Sequence, residues 1–521
     1  MIGSWYLLLP LLLPLAGGLA VAFVGPLADA RRRNAVTMAV LLLSALSVVP
    51  VLLQGEMRLT LFTLSDNLPI LLRTDTISRL FAGLMALVWA AVGLYSFRYM
   101  AEEGHGRRFY AFYLCTLSAL MGLCFAGTII TYYMFYELMT LLTVPMVMHE
   151  MDRAAVAAGI KYLVYSVIGA SLVLLGVMLL SPYLDSLTFA VGGSLNLEKA
   201  AGHEGAVLTA AGLMLLGFGA KAGMFPLHGW LPTAHPAAPA PASAVLSGII
   251  TKAGVLGILR VLYQLVGAGF LRGTWVQTAL MVLSLFTVFM GSLLAWRENV
   301  LKKRLAWSTV SQVSYVVFGL STLHPVGLVG ALLHVVAHAL IKNTLFLSAG
   351  AVIHRTGKTR VEELDGIGRQ MPVTLWCFTL ASVGLVGIPP CLGFVSKWYL
   401  AQGALAMGGV PGWLCWAGPA VLLVSALLTA AYLFPVSIRA FFPGAASPAH
   451  PERREASPGM LGPLVALCAL SVVLGMAPGA LTGVGESIAE DVMPPVSMAM
   501  EETVDLTETL PDTEAVVEPE G

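Results

Sequence analysis

The sequence predicts an all-α membrane protein of about fourteen transmembrane helices, and three observations carry that expectation. Only 11% of the 521 residues are charged and 58% are hydrophobic, against roughly 25% charged residues in an ordinary soluble domain. Apolar runs of about 20 residues, the length a helix needs to cross ~30 Å of hydrocarbon, recur from one end of the chain to the other. The basic residues also alternate between loops in the manner of a polytopic protein.

Taken in order, the apolar runs give spans over 4–24, 35–53, 76–97, 109–128, 129–147, 160–181, 207–235, 242–265, 274–295, 305–322, 326–353, 373–404, 415–438 and 460–484. The first lacks a basic region before Leu7 and so reads as a helix, not a signal peptide. With the amino terminus outside, the inner loops carry nineteen of the 29 basic residues, among them Arg31 to Arg33, Arg107, Arg108, Arg297 and Lys302 to Arg304. The outer loops carry Arg58, Arg73, Lys199 and Arg272. This asymmetry predicts a multi-pass protein of the cell inner membrane with both termini outside. Residues 485–521 hold eleven acidic residues and no Lys or Arg, the composition of a solvated, disordered tail.

Formal net charge is zero, so no global field favours nucleic acid. The six cysteines lie scattered in apolar segments without CxxC spacing, and no nucleotide-binding glycine motif or Walker lysine occurs. No cofactor or metal is therefore expected in this chain, and any redox chemistry would belong to a partner.

Six basic residues fall inside spans: Arg79, Lys221, Lys252, Arg260, Lys342 and Lys397. A charge at the bilayer centre costs at least ~2.5–3.5 kcal/mol, so each needs a partner, water or a purpose. Glu137, in TYYMFYELMTLLTVPM, is the one carboxylate well within a span. Lys221 is its natural partner: the two are expected to face each other across a helix contact, directly or through one or two waters, as an exchangeable pair or as a static clamp between helices. Gly223, Pro226, Pro232, Pro236, Pro239 and Pro241 follow Lys221 and cannot lie in one regular helix. A second interruption, Gly387-Ile388-Pro389-Pro390, precedes Lys397. Two broken helices, near 222–226 and 387–391, each beside a buried lysine, are the sequence pointer expected of inverted repeats with ion sites at the breaks, the alternative being two unrelated proline kinks.

His334, His338 and Lys342 follow at four-residue steps and share one helical face. Histidine titrates near neutrality and both donates and accepts, so this stripe suits proton relay. A zinc site is the weaker reading, because the HxxxH pattern has no third ligand. Lys252, at mid-span, can receive a proton from Lys221 or simply bond a carbonyl. His228, in PLHGWLP, either links the pair to bulk water or caps a helix end.

These segments resemble a known family. KAGMFPLHGWLPTAHPAAPAPASAVLSGIITKAGVLGILR (221–260) is similar to the signature of the antiporter-like subunits of complex I, of multisubunit cation/proton antiporters and of membrane-bound hydrogenases. YELMTLLTVPM, KRLAWSTVSQVSYVVFG, HVVAHALIKNTLFLSAG and GIPPCLGFVSKWY resemble further family blocks in the same order, over roughly residues 75–440. The resemblance implies two inverted five-helix repeats, at 109–265 and 274–438, after three helices in 1–108 and before the last span. It implies Glu137 as coupling glutamate, Lys221 as central lysine, Lys252 as the next lysine, His334 and His338 as linking histidines and Lys397 as the lysine at the exit. Lys397 stands where one complex I member has glutamate. The long lateral helix of the largest complex I subunit is not expected, and AHPAAPAPASAVLSG and GIPPCLGFVSK look closest to hydrogenase-type members and to the D-type members of the antiporters. The implied function is proton translocation, with sodium as a possible ion, inside a complex with other membrane subunits and a peripheral redox module; the alternative is membership of a redox-independent sodium/proton antiporter.

Overall fold

In hydrocarbon no water is available to an unpaired amide or carbonyl, so a spanning segment closes its hydrogen bonds within itself as a helix. The structure, a computed structural model describing residues 3–65, 68–443 and 452–493, is helical almost throughout. It opens with α1 (Leu9–Phe23) and α2 (Ala30–Leu53), followed by a hairpin of β1 (Arg58–Thr63) and β2 (Pro69–Arg73). Next come α3 (Thr76–Glu103), α4 (Gly106–Cys124), α5 (Ile129–Val147), α6 (Arg153–Leu180), the single turn α7 (Leu197–Ala200) and α8 (Glu204–Ala222). Short pieces α9 (Leu231–Ala237), α10 (Ala240–Val245), α11 (Thr251–Arg260) and α12 (Ala268–Leu271) precede α13 (Trp275–Arg297), α14 (Leu301–Ser321) and α15 (Pro325–Thr356). The chain continues through α16 (Ile367–Gln370), α17 (Pro372–Val386), α18 (Leu392–Ala406), α19 (Gly412–Phe441), α20 (Pro458–Met476) and α21 (Gly479–Val492).

Eleven helical stretches among the described residues are long and apolar enough to cross a bilayer. The protein is thus a multi-pass, all-α membrane protein. Helices α4 and α14 and the α17–α18 pair lie on three further expected spans but are shorter or more polar than those eleven. Helix α15 is central: it packs on α14, α17, α18, α20 and α21 as well as α3 and α10. Its neighbour, the stretch Ala240–Leu265, is buried along its full apolar window.

Both expected breaks are present. Helix α8 stops at Gly223, which adopts φ 81°, and Trp230 returns its indole N–H to the freed Ala220 carbonyl at 2.8 Å. Helix α17 stops at Gly387, at φ 92°, and there Lys397 reaches back to the freed carbonyls. A left-handed glycine closing a helix is the usual solution, because any Cβ is strained at that φ.

The structure departs from the sequence reading at four places. The loop after α2 pairs as an antiparallel hairpin, Arg58 opposite Arg73, and docks on the α4–α5 turn through Arg73 N–H to Phe125 O at 2.6 Å and Gly127 N–H to Leu71 O at 2.8 Å. The segment around Lys252 is flanked by π-helical turns at Leu246–Ile250 and Val261–Leu265, irregularities that concentrate at functional sites. The last span, expected over 460–484, ends at Met476, before Ala477-Pro478, as helices do ahead of proline. Residues 485–492, expected in the acidic tail, lie in α21. Thr482, Gly485, Ile488, Ala489 and Val492 share the buried face of α21, which packs on α15 and α3, with Thr76 Oγ1 donating to Asp491 at 2.7 Å. The rest of that tail, 494–521, lies outside the described residues.

Candidate functional site

Lys221 ends α8 inside a cage of hydroxyls. Its Nζ donates to Thr140 Oγ1 at 2.8 Å, Ser166 Oγ at 2.9 Å and the Tyr162 hydroxyl at 3.0 Å, and it lies 4.5 Å from the Tyr162 ring centre. Three oxygens and a ring face replace the water that burial removed. Of the two arrangements expected for Glu137 and Lys221, the direct one is absent: no ion pair within 4.0 Å joins them. Glu137 stands one turn before Thr140 on α5, with Oε1 buried and unpartnered and with Leu138 and Leu141 exposed beside it. It lies half-buried at the perimeter of the chain.

The next lysine is one helix away. Helices α8 and α11 touch backbone to backbone at Gly254, where a Cβ would lie 2.6 Å from Ala222 N and 2.5 Å from Phe218 O. Lys252, on α11, donates to Ser247 O at 3.1 Å and to Nδ1 of His338. This contact joins the two halves of the chain directly. The His338 ring is 6.3 Å from that of His334, whose Nδ1 bonds Ser396 Oγ at 2.9 Å on α18. The Nε2 atoms of both histidines are buried without a protein partner, so each keeps one nitrogen free for a proton or a water.

Lys397 follows Ser396. Its Nζ donates to Leu385 O at 2.6 Å and Val386 O at 2.9 Å and lies 5.0 Å from the Tyr315 ring. It therefore sits on the negative end of the α17 half-helix, where partial charges favour a cation. Lys342 points elsewhere: it donates to Ser308 Oγ at 2.6 Å and Leu305 O at 3.1 Å on α14. Ser308 in turn bonds the Tyr432 hydroxyl at 2.6 Å. The stripe on α15 thus fans out to three neighbours, Lys342 to α14, His338 to α11 and His334 to α18. His228 is half-buried in the first break, between Phe225 and Trp307, with Nδ1 unpartnered; it stands apart from the Lys221 cage.

Sequence reasoning passed over His235, fully buried on α9, stacked on Phe346 at 4.8 Å, with both ring nitrogens unpartnered. It stands in the quoted LPTAHPAAPAP, and its depth beside the prolines was the available signal. The hydroxyls of Thr140, Tyr162, Ser166, Ser308 and Ser396 carry no such signal, since serine and threonine are ordinary in membrane helices. Arg260, singled out without a partner, is held by Asp75 and Gln264. The Asp75 carboxyl, which burial would raise, is held below the usual range by the guanidinium.

Comparison with known proteins gives the family. Residues 126–437 match the family described as NADH:quinone oxidoreductase/Mrp antiporter, TM. NADH-quinone oxidoreductase subunit N of Desulforudis audaxviator is 36% identical over 416 residues, 76% of this chain and 78% of that one. The D-type subunit of the Na(+)/H(+) antiporter of Bacillus subtilis is 27% identical over 499 residues, 94% of this chain and 97% of that one. A chain of the membrane-bound sulfane sulfur reductase, an archaeal respiratory membrane complex, superposes with a TM-score of 0.83 at 23% identity, covering 96% of this chain and 99% of that chain. Breaks, buried lysines and paired histidines all lie within the matched residues, and the chain belongs to the NADH:quinone oxidoreductase/Mrp antiporter transmembrane family.

Proposed function

We propose that the protein is the proton-translocating membrane subunit of a redox-driven complex, in which protons pass along Glu137, Lys221, Lys252, His338, His334 and Lys397. The Lys252–His338 contact carries this reading, because it links a buried lysine of the first half to the histidine stripe of the second. An amine bonded to imidazole can surrender its proton when a neighbouring charge changes, and Glu137 lies where such a change reaches Lys221. Lys342 and His228 flank the row, Lys342 as a side store and His228 as the link from the first break to water. The chain itself is read as holding no redox centre or cofactor; electron transfer belongs to a peripheral module.

The architecture in this reading is fourteen spans with both termini outside, in the cell inner membrane. Two inverted five-helix units, at 109–265 and 274–438, follow the helices of 1–108. Glycine-closed breaks beside Lys221 and Lys397 in corresponding helices support the repeat, and the basic inner loops support the orientation.

A second reading, membership of a redox-independent sodium/proton antiporter, is favoured by the match along 97% of the Bacillus subtilis antiporter chain. Purification through a tag on this chain separates the two. Redox subunits co-purifying, with electron transfer that acidifies the outer side of vesicles, support the pump. A set of small membrane subunits alone, with sodium-dependent proton exchange and no redox partner, supports the antiporter and overturns the leading proposal.

A further inference from the structure

Arg107 and Arg108, at the start of α4, have no place in the proton row. Arg107 donates through Nε to Val21 O at 2.9 Å and through Nη2 to Val24 O at 3.3 Å, closing the last turn of α1. Arg108 bonds the His149 carbonyl and leaves its Nε buried without a partner. Arg33 lies beside them, over the Tyr110 ring and against Gly106. None of the ion pairs among the described residues includes these three arginines. The field is felt nearby: the His149 imidazole, in the loop after α5, is pushed down to about 4 by burial and by Arg108.

A cavity of about 560 Å³ opens between α1, α4 and α5 beside these cations. His105, Arg107 and Arg108 form one end; Leu19, Phe23 and Phe112 are among the apolar residues along its length. Phe23 is 80% exposed and Leu19 47%, so the apolar wall is open at the surface of the chain. A free anion would leave that wall unused, and an apolar chain alone would leave the arginines unpaired. The acidic residues of α21 do not reach it. Helix α21 is tied to Thr76, at the opposite end of α3 from Arg107, and 28 residues at 1.5 Å each put roughly 40 Å of membrane between the two ends.

We propose that this groove binds an anionic phospholipid of the leaflet on the Arg107 side, with its phosphate against Arg107 and Arg108 and an acyl chain along Leu19, Phe23 and Phe112. Guanidinium groups match phosphate geometry in two-point contacts, and basic pockets between membrane helices on the cytoplasmic side suit anionic headgroups. A choline headgroup would bring a further cation to an already basic end, so the site discriminates by charge. The proposal is independent of the ion path.

The test uses the purified complex in mild detergent with two photoactivatable probes, phosphatidylglycerol and phosphatidylcholine, each carrying a diazirine on one acyl chain. Adducts are mapped by peptide mass spectrometry. Phosphatidylglycerol adducts are expected on the peptides holding Leu19, Phe23 and Phe112, in clear excess over phosphatidylcholine. Arg107→Gln with Arg108→Gln lowers them roughly tenfold, and the corresponding pair of lysine substitutions restores most of the signal. Leu19→Trp fills the groove, keeps the arginines and also lowers the adducts, which decides the matter if the glutamine variant does not assemble. Equal labelling by the two lipids, labelling untouched by all these substitutions, or a neighbouring subunit cross-linked in the groove in place of lipid would overturn the proposal.

Discussion

Lys221 and Lys397 show two ways of holding an ammonium group away from water, and the difference shapes what each can do. Lys221 rests among three hydroxyls, which rotate and can accept or donate; Lys397 rests on two fixed carbonyls, which only accept. The first arrangement can take a proton from Lys221 and give one back, whereas the second can only accept from Lys397. Glu137→Gln is expected to leave assembly intact, because its Oε1 has no hydrogen bond to lose, while ion-linked turnover in reconstituted vesicles falls to background. A complex that fails to assemble would mean a structural role instead. Lys252→Met keeps volume but removes the donor to His338, leaving a buried acceptor unpaired at about 1–3 kcal/mol. Translocation should vanish while the subunits still co-purify. Of these residues the lysines and histidines were legible, since charge in an apolar span is conspicuous and four-residue spacing fixes a common face. The absence of a direct Glu137–Lys221 bond was not, because no spacing rule says that α5 and α6 supply hydroxyls close enough to take the ammonium first.

Among the elements, the hairpin, the first turn of α3 and the π-helical turn Val261–Leu265 form a clasp. Asp75 caps α3 through Ser78 N–H at 2.7 Å while its carboxylate holds Arg260. Arg73 pairs with Glu56 at 2.5 Å and reaches Phe189 O at 2.7 Å. Removing one partner of a buried pair strands the other charge, so Asp75→Asn should destabilise the protein by about 3–5 kcal/mol. The measurement is the thermal unfolding midpoint of the purified complex, compared with an Asp75→Asn/Arg260→Gln double variant that recovers part of the loss. An Asp75→Asn midpoint equal to that of the parent would show the pair to be screened. The helices themselves were readable from apolar run length. The hairpin was not, because its strands are five and six residues long and alternation over so short a stretch does not stand out from a polar loop.

For the whole molecule, the proposed route from Glu137 to Lys397 runs along the membrane plane, with Lys397 past the second break and nearer the outer surface in the proposed orientation. Lys397→Ala is expected to abolish proton pumping beside continued electron transfer by the same complex. The Lys221 cage should remain intact, since it is built from α5, α6 and α8, none of which touches α18 closely. Undiminished pumping would place the exit elsewhere.

Sequence alone determined the solvent, the helical class, the two breaks and the basic residues worth attention. Each follows from a local rule: apolar length, the missing N–H of proline, the desolvation cost of a charge. Tertiary structure decided the partners. Which lysine meets which histidine, that Lys342 turns to α14 and not into the row, that Asp75 answers Arg260 across 185 residues, and that α21 folds back onto α15 and α3 all depend on which helices become neighbours. Helix adjacency is set by small-residue contacts such as Gly169 against Gly217 and Gly254 against Ala222, and these take their meaning only when both surfaces are present.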